Sequence, residues 1–561
     1  MKNIIAIILM IFTANLLSQV QLTGENQYRG VFSPPSSLNK SNAITLDNSG
    51  NVYVTGQSDN INTGTGIVTV CYNSTLVTQN WAQRYTGNAG NDAGYSIAYD
   101  EINGKIYVCG TILGNGSGYD YITIQYTTGG SQGWTNTYSG TGNGDDIANH
   151  VEVDASGNVY VTGQSWNGND FDYATVKYNP SGQQQWVSRY DGGNGNDTAK
   201  SIKVDGDNGY VYVTGSSAGN GTGLDFATVR YASDGTQLWV NRYNGAANHN
   251  DWANDLAVDK NLGVYVCGCS ESNSNDAAKY TIVKYSNSGT QAWVVNSIDG
   301  EAKAISLFKR PLVGNLPNNY TVDVFCTGFY IYSFASPTRE GYTVKYDKDA
   351  NLIWGNYKIV NDCLLNHICL SSKEAVYVTG FYHHSTLSQS TTITGCYTNN
   401  GTEAWFYDYG NPNFDYTTSS GVQVDINNNC YVSGLKDTLT TSQEYKTLKY
   451  GISSGTNRFQ NPNINGNNSI LEVPKIYSLE QNYPNPFNPV TVIRYAIPES
   501  GTVKLIVYNM LGQEITDLVN EFKDAGYYNI RFDASKFSSG IYVYKIDSRN
   551  FTSMKKMVLV K

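Results

Sequence analysis

Tyr53-Val54-Thr55-Gly56, Tyr160-Val161-Thr162-Gly163, Tyr212-Val213-Thr214-Gly215 and Tyr377-Val378-Thr379-Gly380 are one tetrapeptide met four times in a chain of 561 residues. Variants stand at Tyr107-Val108-Cys109-Gly110, Tyr265-Val266-Cys267-Gly268, Phe325-Cys326-Thr327-Gly328 and Tyr431-Val432-Ser433-Gly434. The eight glycines follow one another at 52 to 54 residues, apart from one step of 60 that ends at Gly328. A fixed period of roughly 50 residues marks a propeller or an array of like units.

The third repeat shows the unit. Residues 148–154 (ANHVEVD) alternate and end at an Asp, Ser156-Gly157-Asn158 turn the chain, and Val159 to Gly163 make a second strand. A third strand is YATVKY at 173–178, a turn follows at Pro180-Ser181-Gly182, and QWVSRY at 185–190 is a fourth. Period-2 alternation of β-branched and aromatic residues between Gly, Asn, Asp and Ser clusters is the strand-and-turn signature. Four short strands per repeat describe a propeller blade. The fold class is therefore all-β: a β-propeller of eight blades, with seven as the alternative. The sixth repeat is irregular between Glu301 and Gly328, and the chain start is ambiguous. Gln27-Tyr28-Arg29-Gly30 resembles a fourth strand, so a strand from the N-terminus is expected to complete the last blade and remove an exposed edge.

A Trp recurs in the fourth strand, at Trp81, Trp134, Trp186, Trp239, Trp293, Trp354 and Trp405, with Phe459 in that place in the last repeat. One ring per repeat at a constant offset reads as packing between blades, since every blade must bury the same face on its neighbour.

Composition bounds the rest. Charged residues make up 15% of the chain, with 56 Gly, 45 Tyr and a net charge of -10. A nucleic-acid binder would show basic clusters instead. Residues 1–18 read as a signal peptide: Lys2 supplies the positive end and residues 4–17 an apolar core too short to span a bilayer, with cleavage expected after Ser18. No later stretch is apolar enough to span. Nine cysteines leave at least one unpaired; Cys109, Cys267, Cys71 and Cys396 replace residues of the repeat and read as small core residues. The propeller is assigned to 19–455 and an Asn-rich linker to 456–476.

Residues 477–561 then alternate in short strands, which predicts a small Ig-like β-sandwich. The run Asn482-Tyr483-Pro484-Asn485-Pro486-Phe487-Asn488-Pro489, followed by Val507-Tyr508-Asn509-Met510-Leu511-Gly512, Gly540-Ile541-Tyr542 and the terminal stretch to Lys561, resembles the type A sorting domain of the type IX secretion system. The Pro-rich run lacks most backbone donors and is expected to cap an edge. The resemblance implies a Gram-negative bacterium such as those of the Bacteroidetes group. It also implies Sec export through the periplasm, recognition by the outer-membrane type IX translocon, and release or attachment at the cell surface. The preceding repeats resemble secreted bacterial β-propeller repeats, a family with no single activity.

Strand parity puts the loop from strand two to three and the loop between blades on one face, which is expected to be broad, flexible and acidic. Asp92, Asp146, Asp197 and Asp251 recur in register in the inter-blade loops. Three readings stay open for them: Asx-turn and capping duty, calcium ligation, or contact with a polar ligand. Asp170, Asp172, Trp166 and Trp252 are candidates for a ligand face, the two Trp as loop residues, off the repeated Trp position, on whose rings a sugar stacks. No catalytic constellation emerges from the five histidines, and neither a zinc motif nor a nucleophile elbow occurs. The expected function is a secreted or surface-displayed binding or adhesion module for a glycan or a protein, with no nucleic-acid partner. The alternatives are a hydrolase or lyase acting on extracellular polysaccharide, and a structural surface-layer component. No cofactor is expected apart from calcium.

Overall fold

The computed structural model describes residues 20–28, 39–452 and 476–561, except 61–63, 88–89, 115, 117, 207, 273–277, 297, 312–319, 332–338, 359–361, 384–389, 411–414, 439–440, 483–484, 524–525 and 550. The signal peptide, residues 456–475 of the linker and Phe459 lie outside the described residues. Two compact units emerge, 1–457 and 458–561.

The first unit holds eight four-stranded antiparallel sheets, each a meander in chain order except the last. The eighth sheet takes three strands from its own repeat, and Val20–Tyr28 pairs with Thr441–Ile452 as the fourth. Eight blades and closure by the N-terminal strand are thus both observed, and the place expected for Phe459 beside that strand is filled by Val20–Tyr28. The first strands of successive blades pack on one another, as do Asn39–Leu46 and Asp415–Val424, so they line the axis of a closed ring. Blade 6 carries two twelve-residue strands, Gly300–Pro311 and Tyr320–Ile331, which account for its long repeat.

Each glycine of the repeated tetrapeptide answers one feature. The axial strand of every blade has a bulge opposite it: between Ala148 and His150 across from Gly163, for example, and between Ala199 and Ser201 across from Gly215. The carbonyl ahead of the bulge occupies the space where a side chain would begin. A Cβ on Gly56, Gly110, Gly215 or Gly380 would lie 1.8 to 2.0 Å from it. Only glycine admits such a close backbone approach. The preceding Thr is buried and bonded sideways: Thr162 Oγ1 lies 3.0 Å from Thr175 Oγ1 and donates to Ala174 O at 3.3 Å. The tetrapeptide's Tyr closes the tight turn on the opposite face, with Tyr160 Oη donating to Asp154 Oδ2 at 2.9 Å.

No blade buries its apolar residues alone. One cluster joins Tyr107, Cys109 and Tyr121 of blade 2 to Val151, Val161 and Tyr178 of blade 3, and the same sharing recurs around the ring. The recurrent Trp sits at these seams. Trp134 Nε1 donates to Pro180 O of the next blade at 3.1 Å, and its ring covers Gly182, whose φ is +85°. Trp81, Trp186 and Trp239 repeat the bond to Thr128, Ser233 and Asn287. At the closing seam Val20–Tyr28 offers Gly24 where the others have Trp, and Leu76, 1% exposed, fills the gap from blade 1. All nine cysteines are free thiols.

The second unit packs a three-stranded sheet (Ser478–Leu479, Val490–Ile497, Gly526–Asp533) on a four-stranded one (Glu514–Lys523, Gly501–Asn509, Gly540–Ser548, Phe551–Leu559). Phe487, Ile493, Leu505, Tyr544 and Met557 are among its core. The Pro-rich run pairs with the edge strand Phe551–Leu559 at Phe487: Phe487 N–H donates to Val558 O and Val560 N–H to Phe487 O, both at 2.9 Å. It caps that edge, and it does so by pairing in parallel at Phe487 rather than by avoiding the sheet.

Candidate functional site

The loops between blades and those after the second strand gather on one face because strand parity demands it, and loops on a rigid scaffold are where binding concentrates. The register of the second and third strands brings Asp172 opposite Ser165 and Asp225 opposite Ser217 at that rim.

The four recurrent aspartates sit just inside this face. Asp92 immediately precedes its axial strand; Asp146, Asp197 and Asp251 are the first residues of theirs. All four are buried, at most 1% exposed. Each clasps its loop: Asp92 accepts from Gly87 N–H at 2.7 Å and Leu113 N–H at 3.0 Å, and Asp146 from Gly140 N–H at 2.6 Å and Trp166 N–H at 3.1 Å. Asp197 accepts from Gly192 N–H at 2.6 Å and Ala218 N–H at 3.1 Å, and Asp251 from Gly245 N–H. Their carboxylates therefore face inward, and an acidic surface made of them, as expected from the sequence, is not what the chain presents. Burial raises the pKa of Asp146 and Asp197 against these donors, and pushes Asp251 up to about 6, with Asp225 adding to the rise.

Asp172 and Asp225 meet an arginine that the sequence reading passed over. Arg189 forks onto Asp172 Oδ2 at 2.8 and 3.2 Å, and also bonds Ser165 of its own blade and Tyr138 of the preceding one. Arg242 repeats this on Asp225, with Tyr190 as the cross-blade partner. The visible signal was the Arg-Tyr pair that ends QWVSRY and QLWVNRY. Asp170 lies in the loop after the second strand, held by Asn167. Asp172, Asp191 and Asp197 bring one carboxylate oxygen each to within 4.8 Å of one another, the metal-competent group among the described residues.

Trp166 and Trp252 are in strands, not in loops. Trp166 ends Val159–Trp166, half-buried, its ring 5.1 Å from Phe171 and covering Gly142 and Gly144. Trp252 is second in Asp251–Asp259, at the mouth of the axial channel, with Nε1 donating to Glu301 Oε1 at 2.9 Å. Below the mouth Lys203 pairs with Glu152 at 3.0 Å, and Ser201 donates to Asp255 at 2.8 Å.

In the second unit Asn482 is buried. Its N–H donates to Tyr544 Oη at 2.6 Å, and that hydroxyl donates to Glu480 O at 2.7 Å. Asn485 accepts from Val558 N–H at 2.8 Å, Gly512 closes a hairpin turn at φ +78°, and Lys561 Nζ donates to Ser535 O at 2.6 Å. Tyr483 and Pro484 lie outside the described residues. Pro486 is exposed, Asn488 is exposed, Pro489 accepts from Ala534 N–H at 2.8 Å, and Gly540 opens its strand in open space.

The molecule is an eight-bladed propeller closed by its N-terminal strand and followed by a small sandwich. Residues 481–561 match the secretion system C-terminal sorting domain, so the chain carries a type IX secretion sorting domain at its C-terminus. That domain marks a protein exported to the cell surface or the medium. No curated protein matches the chain. Among solved structures, PorZ of Porphyromonas gingivalis, described as an essential bacterial surface component of the type-IX secretion system, aligns at 11% identity over 93% of this chain and 81% of that one, with a TM-score of 0.25. The β-propeller domain of the Trilobed protease from Pyrococcus furiosus aligns at 10% identity over 63% of this chain and 95% of that one, with a TM-score of 0.35. A subtype N10 neuraminidase-like protein of A/little yellow-shouldered bat/Guatemala/060/2010 aligns at 11% identity, over 77% and 100%, with a TM-score of 0.30. No helix among the described residues is long and apolar enough to cross a membrane.

Proposed function

We propose that the propeller is a surface-displayed or secreted binding module whose ligand, a glycan or a protein, meets the long-loop face and the channel mouth. The supporting observation is the set of buried aspartate clasps. Each ties an inter-blade loop to backbone N–H groups, which holds the face in one shape and lowers the ordering cost of binding. The sorting domain supplies the address: Sec export, then translocation across the outer membrane, then release or anchoring. Calcium is the one cofactor this reading retains, at Asp172, Asp191 and Asp197.

A thermal-shift panel on the full mature chain, with soluble glycans, calcium and chelator, tests the reading. A ligand that binds only the folded state raises Tm by mass action. Saturable binding without turnover supports a binding module, whereas clearance of a polymer by the purified protein overturns it in favour of an enzyme.

A further inference from the structure

The bulge in each axial strand leaves one residue out of the ladder, at a common height around the channel. In blades 1, 3 and 5 it is an asparagine that stitches its blade to the next. Asn42, Asn149 and Asn254 donate at 2.8 Å to Gly94 O, Ala199 O and Ala302 O. In blades 4 and 6 it is a lysine, so Lys200 and Lys303 flank Asn254.

The two lysines are not equivalent. Lys303 Nζ pairs with Glu301 Oε1 at 2.6 Å, and that same buried oxygen accepts from Asn254 Nδ2 at 2.8 Å and Trp252 Nε1 at 2.9 Å. Lys200 is exposed and has no hydrogen-bond or ion-pair partner among the described residues. Lys200, Lys303 and Glu301 thus set two ammonium groups against one carboxylate, in a chain whose net charge is -10. Desolvation by the surrounding protein lowers the Lys200 pKa, and the nearby ammonium group of Lys303 adds to the fall. Trp252, half-buried, stands two residues before Asn254 on the same axial strand, its ring orientation set by the bond to Glu301.

The geometry points to a binding site for an anionic sugar at this mouth, its carboxylate or sulfate ester against Lys200 and Lys303 and its apolar ring face against Trp252. This rests on the binding-module reading and adds the chemistry of the ligand. Lysine suits such a role as a compact point charge on a flexible stem, and its exposed position keeps it available in the free protein.

The test is calorimetric titration of the full mature chain with a galacturonate tetrasaccharide, a sulfated chondroitin tetrasaccharide and cellotetraose. The wild type is expected to bind at least one anionic sugar about tenfold more tightly than cellotetraose, with affinity falling as salt rises. K200M should lose about that factor while K200R keeps most of it, both variants retaining the wild-type Tm because the side chain is exposed. Binding in only the uronate arm, or only the sulfate arm, supports the site and names the anion. Equal binding of neutral and anionic sugars, or wild-type affinity in K200M, overturns the site while leaving the binding module intact. No binding of any of the three overturns the site and counts against a glycan ligand altogether.

Discussion

A Cβ on Gly163 would stand 2.0 Å from the carbonyl oxygen of Ile147, just ahead of the bulge in the paired axial strand. The contact is backbone against backbone, so neither partner has a rotamer into which to retreat. Gly163→Ala is expected to destabilise the propeller by about 3 kcal/mol, since the strand pair must separate or the bulge be lost. Chemical denaturation read by Trp fluorescence measures this. The control Gly168→Ala sits in open space at φ +111° and carries backbone strain alone, so it should cost less.

The ring closes through Leu76 rather than through a Trp. Leu76→Ala is expected to cost about 3 kcal/mol, the range for a buried leucine truncated to alanine. Its distinguishing readout is local: hydrogen exchange should quicken in Val20–Tyr28, which also leans on this seam through Asn26 Nδ2 to Leu76 O at 2.8 Å. Trp186→Ala, in the middle of the ring, should leave exchange in that strand unchanged.

Two half-buried histidines and one buried aspartate set opposite pH slopes. Burial lowers His150 from 6.5 to about 3, with Lys203 adding to the drop, and lowers His367 to about 4. Both bind fewer protons folded than unfolded below pH 6.5, so they contribute stability above that value which is lost as pH falls. Asp251, raised from 3.8 to about 6, binds more protons folded, so its contribution is lost as pH rises through that window. Melting curves from pH 3 to 8 should show a steeper acid loss in Asp251→Asn and a shallower one in His150→Gln and His367→Gln.

In the sorting domain Tyr544 Oη is the acceptor for Asn482 N–H and the donor to Glu480 O. Tyr544→Phe leaves a buried N–H without its partner, at a cost of about 1–3 kcal/mol to that unit. Because Asn482 begins the Pro-rich run, the variant is also expected to lower export, seen as less protein in the surface and medium fractions and more in the periplasm. Deleting 477–561 should abolish export altogether. Unchanged export in the deletion would remove the sorting role.

The number of blades and the second domain were legible in the sequence because both rest on local pattern. Strand alternation, turn residues and a repeated glycine report φ/ψ preference and face burial, and these act over a few residues. The N-terminal closing strand was legible for the same reason, since an unpaired blade edge demands a partner. The roles within the repeat were not. Asp92, Asp146, Asp197 and Asp251 left capping, calcium ligation and ligand contact all open because sequence shows type and spacing but not burial, and only the fold brings Gly87, Gly140 and Gly192 N–H groups onto three of them. Trp252 read as a loop residue because the axial strand begins earlier than its alternation suggests, at the aspartate that anchors it. The Arg189–Asp172 fork, the Leu76 substitution at the seam, and the meeting of Lys200 with Lys303 join residues of different strands or blades. Their sequence separations, from 17 residues to the full circuit of the ring, are bridged by tertiary packing alone, and no local propensity encodes which side chains that packing makes neighbours.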